Sequence, residues 1–134
     1  MEVHALYCDG AKSDPLSRLI SAFGIGTAKV HASGFPIDVR ASLIVSLQTD
    51  HNETGTHQFS VDVEMDDGTR QAHLADGELV VSDVEPTVSA FVVPLGLRVE
   101  RPQVLWFVCK VRESSTRIPL HIVADAPNPP RTHG

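Results

Sequence analysis

Asp38-Val39-Arg40-Ala41-Ser42-Leu43-Ile44-Val45-Ser46-Leu47-Gln48 alternates between two kinds of residue. Val39, Ala41, Leu43, Val45 and Leu47 are apolar, and the residues between them are polar except Ile44. Successive side chains of a strand point to opposite faces, so a period of two describes a half-buried strand with one wet face. The pattern returns at Gln58 to Met65, where Phe59, Val61, Val63 and Met65 alternate with Gln58, Ser60, Asp62 and Glu64. It points to an architecture and names no activity.

Working outward from these two segments, the chain reads as about eight or nine short strands. Val3 to Cys8 opens the fold, Asp9-Gly10 ends that strand, and Ala11 to Ser17 is polar and reads as a loop. Leu19 to Phe23 and Thr27 to His31 are extended, with Gly24 and Gly26 marking a bulge or bend between them. Ser33-Gly34-Phe35-Pro36 is a turn. Asp66-Asp67-Gly68 is a hairpin signal that predicts a type I′ turn, with Thr69 to Leu74 returning. Asp76-Gly77 predicts a further turn into Glu78 to Val81. Thr87 to Leu95 and Val104 to Cys109 are apolar on both faces, as in strands that are covered on both sides or form an interface. Arg117 to Val123 contains Pro119, which predicts an edge strand or a bulge there. The best helical window, Asp14 to Ala22, is long enough for one or two turns.

The totals agree with one globular domain. The chain has 134 residues, 42% of them hydrophobic and 21% charged, which is a normal size for a single buried core. The expected domain spans 1–124, and the Pro- and Asn-containing stretch 125–134 reads as a disordered tail. No apolar run approaches the roughly 18 to 20 residues that cross a bilayer. Met1-Glu2-Val3-His4 lacks the basic and apolar regions of a secretory signal. The net charge of −6 and the scatter of the basic residues argue against nucleic acid and anionic membrane as partners. Cys8 and Cys109 lie in apolar segments and read as buried free thiols, which suits a reducing cytoplasm. A bridge between them would contribute about 4 to 5 kcal/mol but needs an oxidising compartment that nothing else in the chain supports. An immunoglobulin-type cysteine pair is disfavoured too, because Trp106 falls on the opposite strand face from Cys109.

Candidate chemistry is sparse. Seven histidines invite a metal reading, and Asp50, His51, Glu53 and His57 share one loop that would gather ligands around a divalent ion. Neither a His-x-His nor a His-Glu-x-x-His spacing occurs, so no metal ligand or cofactor is assigned. Asp62, Asp66 and Asp67 read as strand and turn residues and not as a calcium site. No serine sits in a Gly-x-Ser-x-Gly elbow, Gly24-Ile25-Gly26 lacks the third glycine of a dinucleotide fingerprint, and Asp9 beside Cys8 opposes thiolate formation. No catalytic residue is assigned, and the expectation is a protein that is not an enzyme.

The anomaly is apolar surface. Leu105, Phe107, Cys109 and Val111 share the face expected to enter the core, which puts Val104, Trp106 and Val108 on the other. These three are the candidate interaction residues, covered either by another part of the chain or by a partner, since exposed apolar patches mark interfaces and Trp is enriched there. The expected function is a non-enzymatic module that binds a protein partner or itself, with a metal-ion or small-ligand site on loop 50–57 as the alternative.

Several features run in an order met elsewhere. An opening strand ends in a Cys-Asp turn (Ala5-Leu6-Tyr7-Cys8-Asp9), a polar loop leads to Arg18-Leu19-Ile20-Ser21-Ala22-Phe23, and a Gly34-Phe35-Pro36 turn precedes a long apolar strand and the Asp66-Asp67-Gly68 hairpin. In these features residues 1–75 resemble a family of small bacterial proteins described only as a domain of unknown function. Gly24-Ile25-Gly26 departs from the polar-then-apolar pair expected after Phe23. The resemblance implies a cytoplasmic β-sandwich and brings no activity or site residue with it. The fold expected is all-β: an antiparallel β-sandwich with jelly-roll or immunoglobulin-like connectivity.

Overall fold

The strand read from the opening alternation spans Ile37–Thr49 (β5), and its odd-numbered side chains point into the protein. Leu43, Val45 and Leu47 are wholly buried, while Asp38, Arg40 and Gln48 face solvent. The computed structural model describes residues 1–13, 20–23 and 29–125, and among these it holds ten strands and no helix. Besides β5 they are β1 (Glu2–Cys8), β2 (Gly10–Ser13), β3 (Ile20–Phe23), β4 (Lys29–Ala32), β6 (Gly55–Met65), β7 (Arg70–Val81), β8 (Thr87–Val99), β9 (Gln103–Val111) and β10 (Ser114–Ala124).

The strands form a three-stranded sheet in the order β1-β5-β8, a five-stranded sheet in the order β4-β10-β9-β6-β7, and a separate β2-β3 pair. Every pairing is antiparallel except β4 with β10. One hydrophobic core joins the two larger sheets. Val3, Leu43, Val45 and Val93 enter it from the first, and Val61, Val63, Phe107 and Leu120 from the second. Tyr7 meets Phe107 edge-on at 5.3 Å between ring centroids, and Phe59 meets Phe91 at 4.5 Å, so aromatic pairs also span the layers. The molecule is the expected β-sandwich. Of the two connectivities expected, the strand order is the immunoglobulin-like one: β5 pairs with β8 in one layer while β6, β9 and β10 are neighbours in the other, as strands B and E oppose C, F and G.

Four local expectations are corrected. Asp76-Gly77 is not a turn, because β7 runs unbroken through it. Gly77 pairs with Phe59, and a Cβ at Gly77 would come within 2.8 Å of the Phe59 ring. Glycine is there to make room for an aromatic ring. The apparent break arises from a bulge: Val61 pairs with Ala75 but Asp62 pairs with His73, leaving Leu74 as an extra residue that shifts the in-out alternation by one. A second irregularity follows between Val63 and Glu64.

The Asp66-Asp67-Gly68 hairpin exists, but Gly68 is its only residue at positive φ (88°). Its N–H donates to the Met65 carbonyl, and the Met65 N–H donates to Thr69. This is a three-residue loop ending in a left-handed glycine, not a type I′ turn. Ala11 to Ser13 belong to β2 and not to a loop. β10 begins at Ser114, directly after a turn in which Arg112 takes a φ of 54°.

Pro119 pairs with Trp106 on β9, in a stretch of β10 that lies before its contact with β4 begins at His121. Among the described residues no strand pairs with the other side of β10 at Pro119. The expected bend at Gly24 and Gly26, most of the Asp14 to Ala22 helical window and the tail beyond Asp125 lie outside the described residues. Ile20 to Ala22, the end of that window, are strand.

Substituting Gly77→Ala should cost about 1 to 3 kcal/mol, because the new methyl group overpacks a ring already wedged against Phe91. Urea unfolding measures this, and adding Phe59→Leu should recover part of the loss.

Candidate functional site

β9 is the middle strand of the five-stranded sheet. Leu105, Phe107, Cys109 and Val111 are buried in the core, as their alternation predicted. Val104, Trp106, Val108 and Lys110 therefore lie on the outward face. Val104 and Trp106 are half-buried, Lys110 is exposed, and Val108 is only 6% exposed beneath its neighbours. Of the three candidate interaction residues, Trp106 and Val104 offer surface and Val108 supports them from below.

The Trp106 indole is held from two sides. Its Nε1–H donates to Asp66 Oδ1 at 2.9 Å, and the Arg117 guanidinium lies 3.8 Å from the ring centroid. Arg117 comes from β10, where it pairs with Val108, and Asp66 comes from the turn after β6. A cation over an indole face contributes about 0.5 to 1 kcal/mol at an exposed site. Its larger effect is to fix the ring in one orientation. Among the described residues, these two side chains partner the indole.

Beside this group, on β6 and β7, His73 bridges two carboxylates. Its Nδ1 is 2.6 Å from Asp62 Oδ1 and its Nε2 is 2.9 Å from Asp76 Oδ2. A carboxylate oxygen at each ring nitrogen favours the protonated form of the imidazole. The hydrogen bond to Asp62, then that to Asp76, raises its pKa above the ordinary histidine value. Arg70 approaches the same Asp62 oxygen at 3.9 Å. The bulge at Leu74 is what brings His73 opposite Asp62. The third aspartate of this region, Asp67, accepts from the Thr69 N–H at 2.8 Å, which lowers its pKa. Asp62, Asp66 and Asp67 thus each serve a different partner.

Loop 50–57 is organised around its own backbone. Glu53 Oε1 accepts from the Asp50 N–H at 2.6 Å and lies 3.0 Å from the Met1 amine; these contacts lower its pKa. His57 is 1% exposed, and its Nε2–H donates to the Glu53 carbonyl at 2.7 Å. His51 turns away to Glu85 at 3.6 Å. Among the described residues no group of three or more His, Cys, Asp or Glu side chains is placed to hold a metal ion.

Cys8 and Cys109 are both buried and free. Burial pushes the Cys109 thiol up to about 11. Burial first, and then Asp9, raises that of Cys8. Burial also lifts the Tyr7 phenol far above its usual range. No helix among the described residues is long and apolar enough to cross a membrane.

A family model covers residues 3–123, nearly the whole sandwich from β1 to β10. The chain belongs to the family of unknown function DUF6941. No curated protein matches it significantly. The DUF6941 region takes in Trp106, Arg117, Asp66 and the His73 bridge alike. Trp106 was visible in the sequence through strand parity. Arg117 and His73 were not, because each is placed by the register of a hairpin, with a bulge in the case of His73, and Asp66 was not, because it meets Trp106 across 40 residues of chain.

Since the folded pKa of His73 lies above its unfolded value near 6.5, its contribution to stability is complete below about pH 6.5. It is lost as pH rises through the raised value. Thermal melts from pH 6 to pH 9 should therefore show the native chain losing its advantage over His73→Gln across that window. An NMR titration of the His73 ring should give a midpoint above 6.5.

Proposed function

We propose that this chain is a non-enzymatic interaction module of the cytoplasm, binding protein through the outward face of the five-stranded sheet around Trp106. The observation that carries the reading is the indole itself: half-buried on the central strand and held by Arg117 and Asp66. Trp and Arg dominate the energetics of protein interfaces, where a few anchors near the centre supply most of the affinity. An anchor already fixed in the free protein loses less side-chain freedom on binding.

The neighbouring ionisable groups support binding more than catalysis. Both nitrogens of His73 face carboxylates, which leaves neither free to take a proton from a substrate. Two buried free thiols suit a reducing compartment. The alternative on loop 50–57 has less support, since His57 is turned inward and Glu53 faces the Met1 amine.

A photo-reactive benzophenone side chain in place of His121, one cross-strand step from Val104, should give a covalent adduct with protein in the producing cell. The adduct should be lost when Trp106→Asp is added, and Trp106→Asp should weaken binding about thirtyfold, the loss of one hot spot worth about 2 kcal/mol. Absence of any protein adduct from a chain that melts like the native one would remove the proposal.

A further inference from the structure

We infer that His73 is a proton-operated latch on β7: with its proton it pins the bulge at Leu74, and without it residues 70–73, the first part of the strand, come free of β6. The inference does not depend on what binds the Trp106 face. Its basis is a contact that a regular strand cannot make. Successive side chains of a strand alternate between faces, so residues three apart lie on opposite sides. His73 and Asp76 are three apart, yet both are exposed on the outward face and their side chains meet at 2.9 Å. They share that face because Leu74 is an extra residue, and Leu74 and Ala75 both pack toward the core between them. The second carboxylate ties this pair to the neighbouring strand. His73 Nδ1 lies 2.6 Å from Asp62 Oδ1, and Asp62 is the β6 residue opposite His73. One imidazolium therefore joins β7 before the bulge to β7 after it, and both to β6.

The bridge exists only in the bulged register. If β7 kept the register of Ala75 with Val61 to its start, His73 would fall opposite Val63 and turn inward, away from both aspartates. Bulge and bridge thus stabilise each other. A neutral imidazole has one donor and one acceptor, so it serves one carboxylate and turns a lone pair on the other, and the bridge fails. The other charges on this face are Glu64 from β6, Arg70 from β7 itself, which approaches Asp62, and Lys110, which β9 sets beside Ser60. The hydrogen bonds to Asp62 and then Asp76 hold the proton on His73 past the ordinary histidine value. The latch is therefore complete below about pH 6.5 and opens as pH rises through the raised value. Little else secures this part of β7. Among the described residues no strand pairs with its far side, and a second register shift between Val63 and Glu64 interrupts its bonding to β6. Segments held this lightly open locally while the rest of the fold stays intact.

Amide hydrogen exchange of the full chain, followed by NMR from pH 6 to pH 9, tests this. After correction for the pH dependence of exchange in an unfolded chain, the amides of residues 70–75 that bond to β6 should lose at least about fivefold in protection as His73 deprotonates. Those of residues 77–81, at the far end of the same strand, should keep theirs. His73→Gln, which carries no charge, should be open at both ends of the range with no step between. His73→Arg, which keeps a cation there throughout, should hold its protection to pH 9. Protected far-end amides in both variants show that each is folded. Protection of residues 70–75 in the native chain that does not change with pH would overturn the inference, and so would an equal step in His73→Gln.

Discussion

The structure depends on one constraint: two pleated sheets share a single apolar layer, and every second residue of each long strand must enter it. Leu43, Val45 and Leu47 on β5 and Leu105, Phe107 and Cys109 on β9 meet this demand from opposite sides. Burying each such side chain contributes roughly 1.5 to 3 kcal/mol relative to exposure. The residues between them have no choice of side. Trp106 is outside because Leu105 and Phe107 are inside, and a large aromatic residue on the outward face is a consequence of parity as well as a candidate for function.

How much of this could be read beforehand follows the reach of the interactions involved. β5 and β6 declare themselves by alternation within one strand, and β9 by an unbroken apolar run whose parity puts Trp106 outward. β7 did not, because the extra residue at Leu74 changes which residues point inward halfway along and imitates the end of a strand. Gly77 looked like punctuation because glycine usually serves turns. Its reason here, the Phe59 ring, lies on another strand. The start of β10 was hidden for the opposite reason: Arg112 adopts a left-handed conformation without the glycine that would have signalled it. The surroundings of Trp106 belong to the same class. Asp66 is 40 residues away in the chain, and only the register of β6, β9 and β10 brings it and Arg117 to the indole.

The order of strands gives the outward face its character. The immunoglobulin-like arrangement places β9 centrally and puts the hairpin of β6 and β7 on one flank, with β10 and β4 on the other. Local sequence on each flank then decides its charge. The other outward face, on β1, β5 and β8, is built differently. Leu6, Ile44 and Val92 stand in one cross-strand row, with Val88 exposed at the end of β8, and its middle is uncharged. The two exteriors of one sandwich thus differ in kind, one patterned by charge and the other by apolar area.

The same layout leaves β1 and β8 at the ends of one sheet and β4 and β7 at the ends of the other, among the described residues, and β7 and β8 are the longest of these four. Long unpaired margins are templates on which further chains add, and they are where fibrils begin. β7 is irregular at two points, and a kinked margin offers no straight row of donors and acceptors. β8 carries Pro94 and Gly96 near its middle, and a proline in a strand is tolerated where its missing N–H faces open solvent. The irregularities that obscure β7 in the sequence therefore also guard the protein against unlimited growth by strand addition.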